Sequence, residues 1–431
     1  MSVREDEGHH LGQLWWPSTG GRVWTSVRQV FNRELLAYLG PGFLVTLGFI
    51  DPGNWATNMA GGSQFRYDLL WVITASTLML ILLQQMAARL GAVTGHSLAC
   101  NIRSRFPRPV AAFLGVTITL ACVATDLAEY LGGALGLELL FGVPRWLGAV
   151  ITGVLVNVLI YREQYRRLEY LLLAFLQVVA VIYVIELIIV RPEWAILWPH
   201  AFLVRVDHRN LFLAMGMLGA VVMPHNIYLH SNVIRQRSWG SGEERRRLLR
   251  FASVDTVAAM VTGWLINSSM IIVAATVFFP HGIVVETISQ AAQSLRPLAG
   301  SLAGVLFATA LLACGWGSSL TSSLSKAGII MGYLGRPQDR RDPWLRIMLA
   351  ISGAVVVAAI ALARDPFALL IWSQVVLSVQ LPFTMIPLIV LVRDRRVMGE
   401  FASGRLEFIL AVITAAVVIG LNVLLLYWSV V

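Results

Sequence analysis

Eleven apolar runs follow one another along this chain, each about the 20 residues that an α-helix needs to cross the hydrocarbon of a bilayer. They fall at 35–61, 67–90, 110–140, 146–161, 168–190, 210–235, 252–279, 298–330, 344–363, 367–392 and 406–430. Lipid gives the backbone no hydrogen-bond partner, so each run must close its own bonds as a helix. The expected fold class is therefore an all-α, multi-pass membrane protein. Composition agrees, because 57% of the 431 residues are hydrophobic and only 13% charged, leaving too little polar surface to cover a soluble domain.

The net charge of +9 does not point to nucleic acid. The basic residues lie in short connections between apolar runs, without the interleaved aromatic side chains on which single-stranded bases stack. Their distribution orients the chain instead. With the N-terminus inside, the cytoplasmic segments hold 25 arginines and the outer segments 7, which is the positive-inside asymmetry and puts the C-terminus outside. The sole lysine, Lys326, stands in the eighth run. Cys100, Cys122 and Cys314 are odd in number and far apart, so neither a disulfide framework nor a CxxC site is expected. The N-terminal stretch has no short apolar run with a small-residue cleavage site, so no secretory signal is expected there.

Two runs are interrupted in the same manner. In Gly48-Phe49-Ile50-Asp51-Pro52-Gly53-Asn54 an acid, a helix breaker and an amide stand inside the first run; Ala220-Val221-Val222-Met223-Pro224-His225-Asn226 breaks the sixth. A carboxylate at bilayer depth costs roughly 2.5–3.5 kcal/mol on insertion scales, so Asp51 reads as functional. Pro224 lacks an N–H and frees the carbonyl of Ala220; Pro52 does the same for Gly48. Paired broken helices in corresponding halves of a membrane chain mark a transport site near the bilayer midplane. A cation held between the breaks would take Asp51 as the charged oxygen ligand, Asn54 as the neutral one, the Ala220 carbonyl and the Met223 thioether. A thioether beside oxygen donors suits a transition metal such as manganese or iron better than magnesium or calcium. The other reading is a pair of proline kinks whose polar residues bond to neighbouring helices. Five runs precede the sixth, so the two halves run in opposite senses and an inverted 5+5 repeat is expected, with the eleventh helix appended.

Other polar residues lie within the runs. Asp126 and Glu129 are three apart and share a helix face, which suits a proton relay, a metal vestibule, or buried acids bonded to neighbouring helices or to an arginine such as Arg346. His225 titrates near neutral pH and reads either as a proton carrier or as a hydrogen-bonded core residue. Gln374 reads as a further amide ligand or as interhelical glue. Asp255, Asn267 and Lys326 are assigned no role.

The fragments DPGNWATN and MPHNIYLHS, with LLWV and SQVVLS, resemble the natural resistance-associated macrophage protein (Nramp) family, proton-coupled transporters of divalent transition metals. The resemblance runs from about residue 35 to 430. It implies a LeuT-like fold with broken first and sixth helices and alternating access around Asp51, Asn54, Ala220 and Met223. It also implies that Gln374 joins the ion in some states and that His225, Asp126, Glu129 and Arg346 line a proton route. Three positions depart from the family pattern. Thr119 replaces a glutamate seven residues before Asp126, Arg346-Ile347 replaces an Arg-Arg pair, and Ser325-Lys326-Ala327 replaces Ala-Gly-Gln. A relay lacking one station is expected to move fewer protons per metal ion, and Thr119→Glu to move more. A magnesium-carrying branch loses the methionine, so Met223 argues against membership in it.

The expected organisation is a cytoplasmic segment over 1–34, a LeuT-like core of ten helices over 35–392, and a cytoplasmic loop with the eleventh helix over 393–431. The expected function is import of Mn²⁺ or Fe²⁺ with proton coupling through a bacterial inner membrane. The alternative is a metal transporter of the same family with weak or no proton coupling, or with selectivity extending to Mg²⁺. Its partners are divalent ions, protons and lipid, with the chain acting as a monomer and no resident cofactor. A metalloenzyme is disfavoured because no HExxH-like spacing occurs. An amino-acid symporter of this architecture would place a substrate carboxylate against Asp51, which repels it.

Overall fold

Proline decides where the two central helices stop. In the structure, a computed structural model that describes residues 41–430 except 49, 163–164, 296–299, 301–302, 338 and 340–341, α1 (Pro41–Gly48) and α2 (Pro52–Phe65) flank the first break. The second lies between α7 (Leu211–Val221) and α8 (Pro224–Ile234). Each proline occupies the first turn of its second half-helix, where a missing N–H costs nothing. The expected cytoplasmic segment 1–34 lies outside the described residues.

The other long helices are α3 (Leu70–Thr94), α4 (Arg108–Phe141), α5 (Arg145–Arg162), α6 (Tyr165–Val190), α9 (Gly242–Val277), α10 (Ala303–Leu334), α11 (Pro343–Leu362), α12 (Pro366–Arg393) and α13 (Arg405–Val430). Among the described residues, eight helical segments are long and apolar enough to cross a membrane, the α7–α8 pair counting as one. The described apolar stretches of α5 and α6, Arg145–Ile160 and Ala180–Val190, are shorter. The largest departure from the sequence-based bounds is α9, which begins ten residues before the expected start at 252. Glu243 and Glu244 in its first turn complement the helix dipole, so the helix continues beyond the apolar run into its basic flank.

Burial sorts the helices into centre and periphery. Of the most apolar window of the α7–α8 segment 94% is buried, against 28% for α11 and for α13. Val, Ile and Leu side chains on the outer faces of α11 and α13 are exposed, as lipid-facing surfaces require. The halves meet counterpart to counterpart: α3 packs on α9, α4 on α10, and the first break on the second through α1 with α8 and α2 with α7. Such pairing of equivalent helices about one centre is what an inverted repeat produces. Helix α13 is appended to this arrangement, against α12, α7 and α3.

Candidate metal site

A residue before proline is driven to extended backbone. Asp51, at φ −90° and ψ 166°, obeys this and becomes the N-cap of α2, its Oδ1 accepting the Asn54 backbone N–H at 2.9 Å. The carboxylate therefore sits on the positive end of a half-helix inside the protein. Met223, at φ −70° and ψ 119°, holds the same place before Pro224 but has no side-chain cap bond. One turn earlier the carbonyl that Pro224 cannot bond, that of Ala220, accepts the Asn54 side-chain Nδ2–H at 2.8 Å. The two breaks are thus joined by a hydrogen bond between a freed carbonyl and an amide.

Gln374 of α12 completes the group. Its Nε2 donates to Asp51 Oδ2 at 3.1 Å and to Ser373 Oγ at 3.2 Å, while its Oε1 has no hydrogen-bond partner. Met223 stands at the second break, its sulfur 3.6 Å from Asn226 Nδ2, and the Asn226 side chain packs against Gly48 beside the first break. Asp51, Asn54, Ala220, Met223 and Gln374 are wholly buried, so the group is closed from both sides. Glycine permits the closure: a Cβ on Gly53 would stand 1.8 Å from Gln374 Nε2, and one on Gly219 would stand 2.0 Å from the Gln374 carbonyl oxygen.

In this closed state Asn54 and Gln374 occupy the Ala220 carbonyl and the Asp51 carboxylate with their N–H groups. An arriving cation would compete for the Asp51 carboxylate and the Ala220 carbonyl, and the Asn54 amide would have to turn its oxygen inward. A strongly bound cation can displace such bonds, because each neutral hydrogen bond contributes only about 0.5–1.5 kcal/mol net. Among the described residues no group of three or more His, Cys, Asp or Glu could hold a metal in the manner of a metalloenzyme.

Comparisons with known proteins show the family and the fold. The family model described as natural resistance-associated macrophage protein-like matches residues 42–428. This chain belongs to the Nramp family. It is 40% identical over 399 residues to the divalent metal cation transporter MntH of Caldanaerobacter subterraneus subsp. tengcongensis, covering 92% of this chain and 94% of the relative. It is 43% identical over 407 residues to MntH of Xanthomonas campestris pv. campestris, covering 91% of each. The structure superposes on the Eremococcus coleocola manganese transporter with a TM-score of 0.79 and 29% identity, covering 94% of this chain and 89% of that one. Mhp1, a nucleobase-cation-symport-1 family transporter, matches at a TM-score of 0.59 and 15% identity over 90% of this chain and 92% of its own, which shows the fold alone. The fold of this Nramp protein is LeuT-like.

Of the residues expected on a proton route, His225 directs Nδ1 at Thr125 Oγ1 of α4 at 3.2 Å, its carbonyl accepts the Ser325 hydroxyl at 2.6 Å, and its Nε2 has no hydrogen-bond partner. Glu129 is wholly buried, and neither of its oxygens is hydrogen-bonded. Asp126 is different. It forms an ion pair with Lys326 of α10 and accepts hydroxyls from Ser322 at 2.6 Å and Ser352 at 3.2 Å. Arg346, offered by the sequence as a partner for these acids, is exposed in the first turn of α11. The sequence reading passed over Lys326, yet a sole lysine inside an apolar run was the signal, since a buried ammonium must find an anion.

Proposed function

We propose that the cation this Nramp protein carries is Mn²⁺ or Fe²⁺, held in transit by Asp51, Asn54, the Ala220 carbonyl and Met223, with Gln374 joining when the site is closed. The chain is a divalent metal cation transporter and not an enzyme. The observation that supports the ligand assignment is the meeting of the two proline breaks, where Asn54 Nδ2 bonds the freed Ala220 carbonyl and Gln374 Nε2 bonds the Asp51 carboxylate, all of them buried. The Met223 thioether favours transition metals over Mg²⁺ and Ca²⁺. Arginine asymmetry supports an N-terminus in the cytoplasm and a C-terminus outside; the direction proposed is import through a bacterial inner membrane. The chain is proposed to act as a monomer, and the metal is cargo, so no resident cofactor is required.

Two readings of proton coupling remain distinct. Full coupling would use His225, Asp126, Glu129 and Arg346. Weaker coupling is favoured by Thr119 in place of a titratable group, by the exposure of Arg346, and by the hold of Lys326 on Asp126. Uptake of a panel of divalent metals into proteoliposomes, with internal pH recorded simultaneously, tests both points. Saturable Mn²⁺ or Fe²⁺ uptake is expected; transport of neither would overturn the assignment.

A further inference from the structure

The chain's one lysine is 1% exposed and faces an aspartate that is 0% exposed. Lys326 Nζ pairs with Asp126 Oδ2 and also donates to Ser352 Oγ at 2.9 Å, while Ser352 and Ser322 hydroxyls bond the same carboxylate. The pair therefore ties α4, α10 and α11 together with a shell of hydroxyls. A buried carboxylate in a transporter is stabilised by hydrogen-bond donors, by the transported metal, by a proton that comes and goes, or by a cation built into the chain. Here the last is in place.

We propose that Lys326 is the resident counter-cation of Asp126 throughout transport, so that this acid carries no proton with the metal. The proposal rests on the reading of the chain as a metal transporter.

The surroundings leave Lys326 no competing anion of equal proximity. On α4 the neighbouring titratable groups are Glu129 and Cys122, and on α8 the nearest is His225. Within the helices themselves, α10 carries no charged residue except Lys326, α11 none except the exposed Arg346, and α12 none before Arg393. Glu129 thus keeps its own charge state to settle, whereas Asp126 is already neutralised by a bonded ammonium.

The test uses the full chain in proteoliposomes, with Mn²⁺ uptake and internal pH measured together for wild type, Lys326→Gln, Asp126→Asn and the double variant. Removing one partner of a buried pair leaves an uncompensated charge, so each single variant should lose at least about tenfold in uptake near neutral pH. In Lys326→Gln the unpaired Asp126 can remain buried only by binding a proton. Its uptake should therefore recover as pH is lowered and fall as pH rises, more steeply than wild type. The double variant, neutral at both positions, should regain uptake with the wild-type ratio of protons to Mn²⁺. A fall of that ratio in the double variant would show that Asp126 does carry a proton, and a double variant no better than either single would show that the two do not act as a charge pair; either result overturns the proposal. If none of the three inserts, Lys326→Arg decides by the same uptake assay, retention supporting a fixed cation and abolition opposing it. Absence of Mn²⁺ and Fe²⁺ uptake in the wild type would instead strike at the metal-transport reading itself.

Discussion

Gly219→Ala should damage the metal site through the backbone rather than through any ligand. A Cβ at this position would lie 2.0 Å from the carbonyl oxygen of Gln374 and 2.8 Å from the backbone nitrogen of Ser378. An ordinary contact of a Cβ begins at 3.4 Å, so α7 and α12 would have to part by about 1.4 Å where they flank the Ala220 carbonyl and Gln374. Neither obstacle is the tip of a movable side chain. Overpacking of this kind typically costs about 1–3 kcal/mol, and a ligand displaced by about 1 Å can lose on the order of 10²-fold in a positioned function. Gly53→Ala is the control. Its Cβ would meet the Gln374 side chain from Nε2 at 1.8 Å back to Cγ at 2.8 Å, so the side chain must swing away and lose its 3.1 Å bond to Asp51, but no backbone atom is among the three nearest obstacles. Thermal unfolding in detergent and initial Mn²⁺ uptake should therefore separate the two: both measures fall in Gly219→Ala, while Gly53→Ala loses uptake with a much smaller loss of stability. Wild-type stability and uptake in Gly219→Ala would refute the packing argument.

Met223→Ala removes the soft donor and leaves oxygen ligands, so competition by Ca²⁺ or Mg²⁺ against Mn²⁺ uptake should strengthen; unchanged competition would mean that the thioether does not touch the ion. Asp255→Ala deletes the acceptor of the Gly42 N–H at 2.6 Å, which ties α1 to α9, and should lower thermal stability by about 1–3 kcal/mol, measured by unfolding in detergent. The sequence alone leads one to expect that Thr119→Glu raises the ratio of protons to Mn²⁺; because Asp126 two turns away is held by Lys326, the structure leads instead to a ratio near the wild-type value for Thr119→Glu alone and a rise only when it is combined with Lys326→Gln.

The parts of this molecule that a linear reading recovers are those dictated by backbone chemistry. Asp51-Pro52 and Met223-Pro224 announce their breaks because proline fixes its own geometry and that of the residue before it, wherever the helices go. The Ala220 carbonyl follows from the same rule. Gln374 is harder, since an amide in an apolar helix is equally legible as glue and as ligand, and only the apposition of α12 to the first break shows that it bonds Asp51. The Asp126–Lys326 pair could not be read at all from spacing. It joins residues 200 apart, and nothing in periodicity states which helices are neighbours. Attention to Arg346 as the natural partner for a buried acid followed charge alone, whereas burial decides the matter in favour of the lysine.

In the proposed site the ion sits between the two breaks with Asp51 as its only anionic ligand. Asp51→Ala, correctly inserted and folded as judged by its detergent unfolding curve, should show no saturable Mn²⁺ uptake into proteoliposomes and no Mn²⁺-dependent stabilisation. Uptake at close to the wild-type rate in that variant would contradict the account.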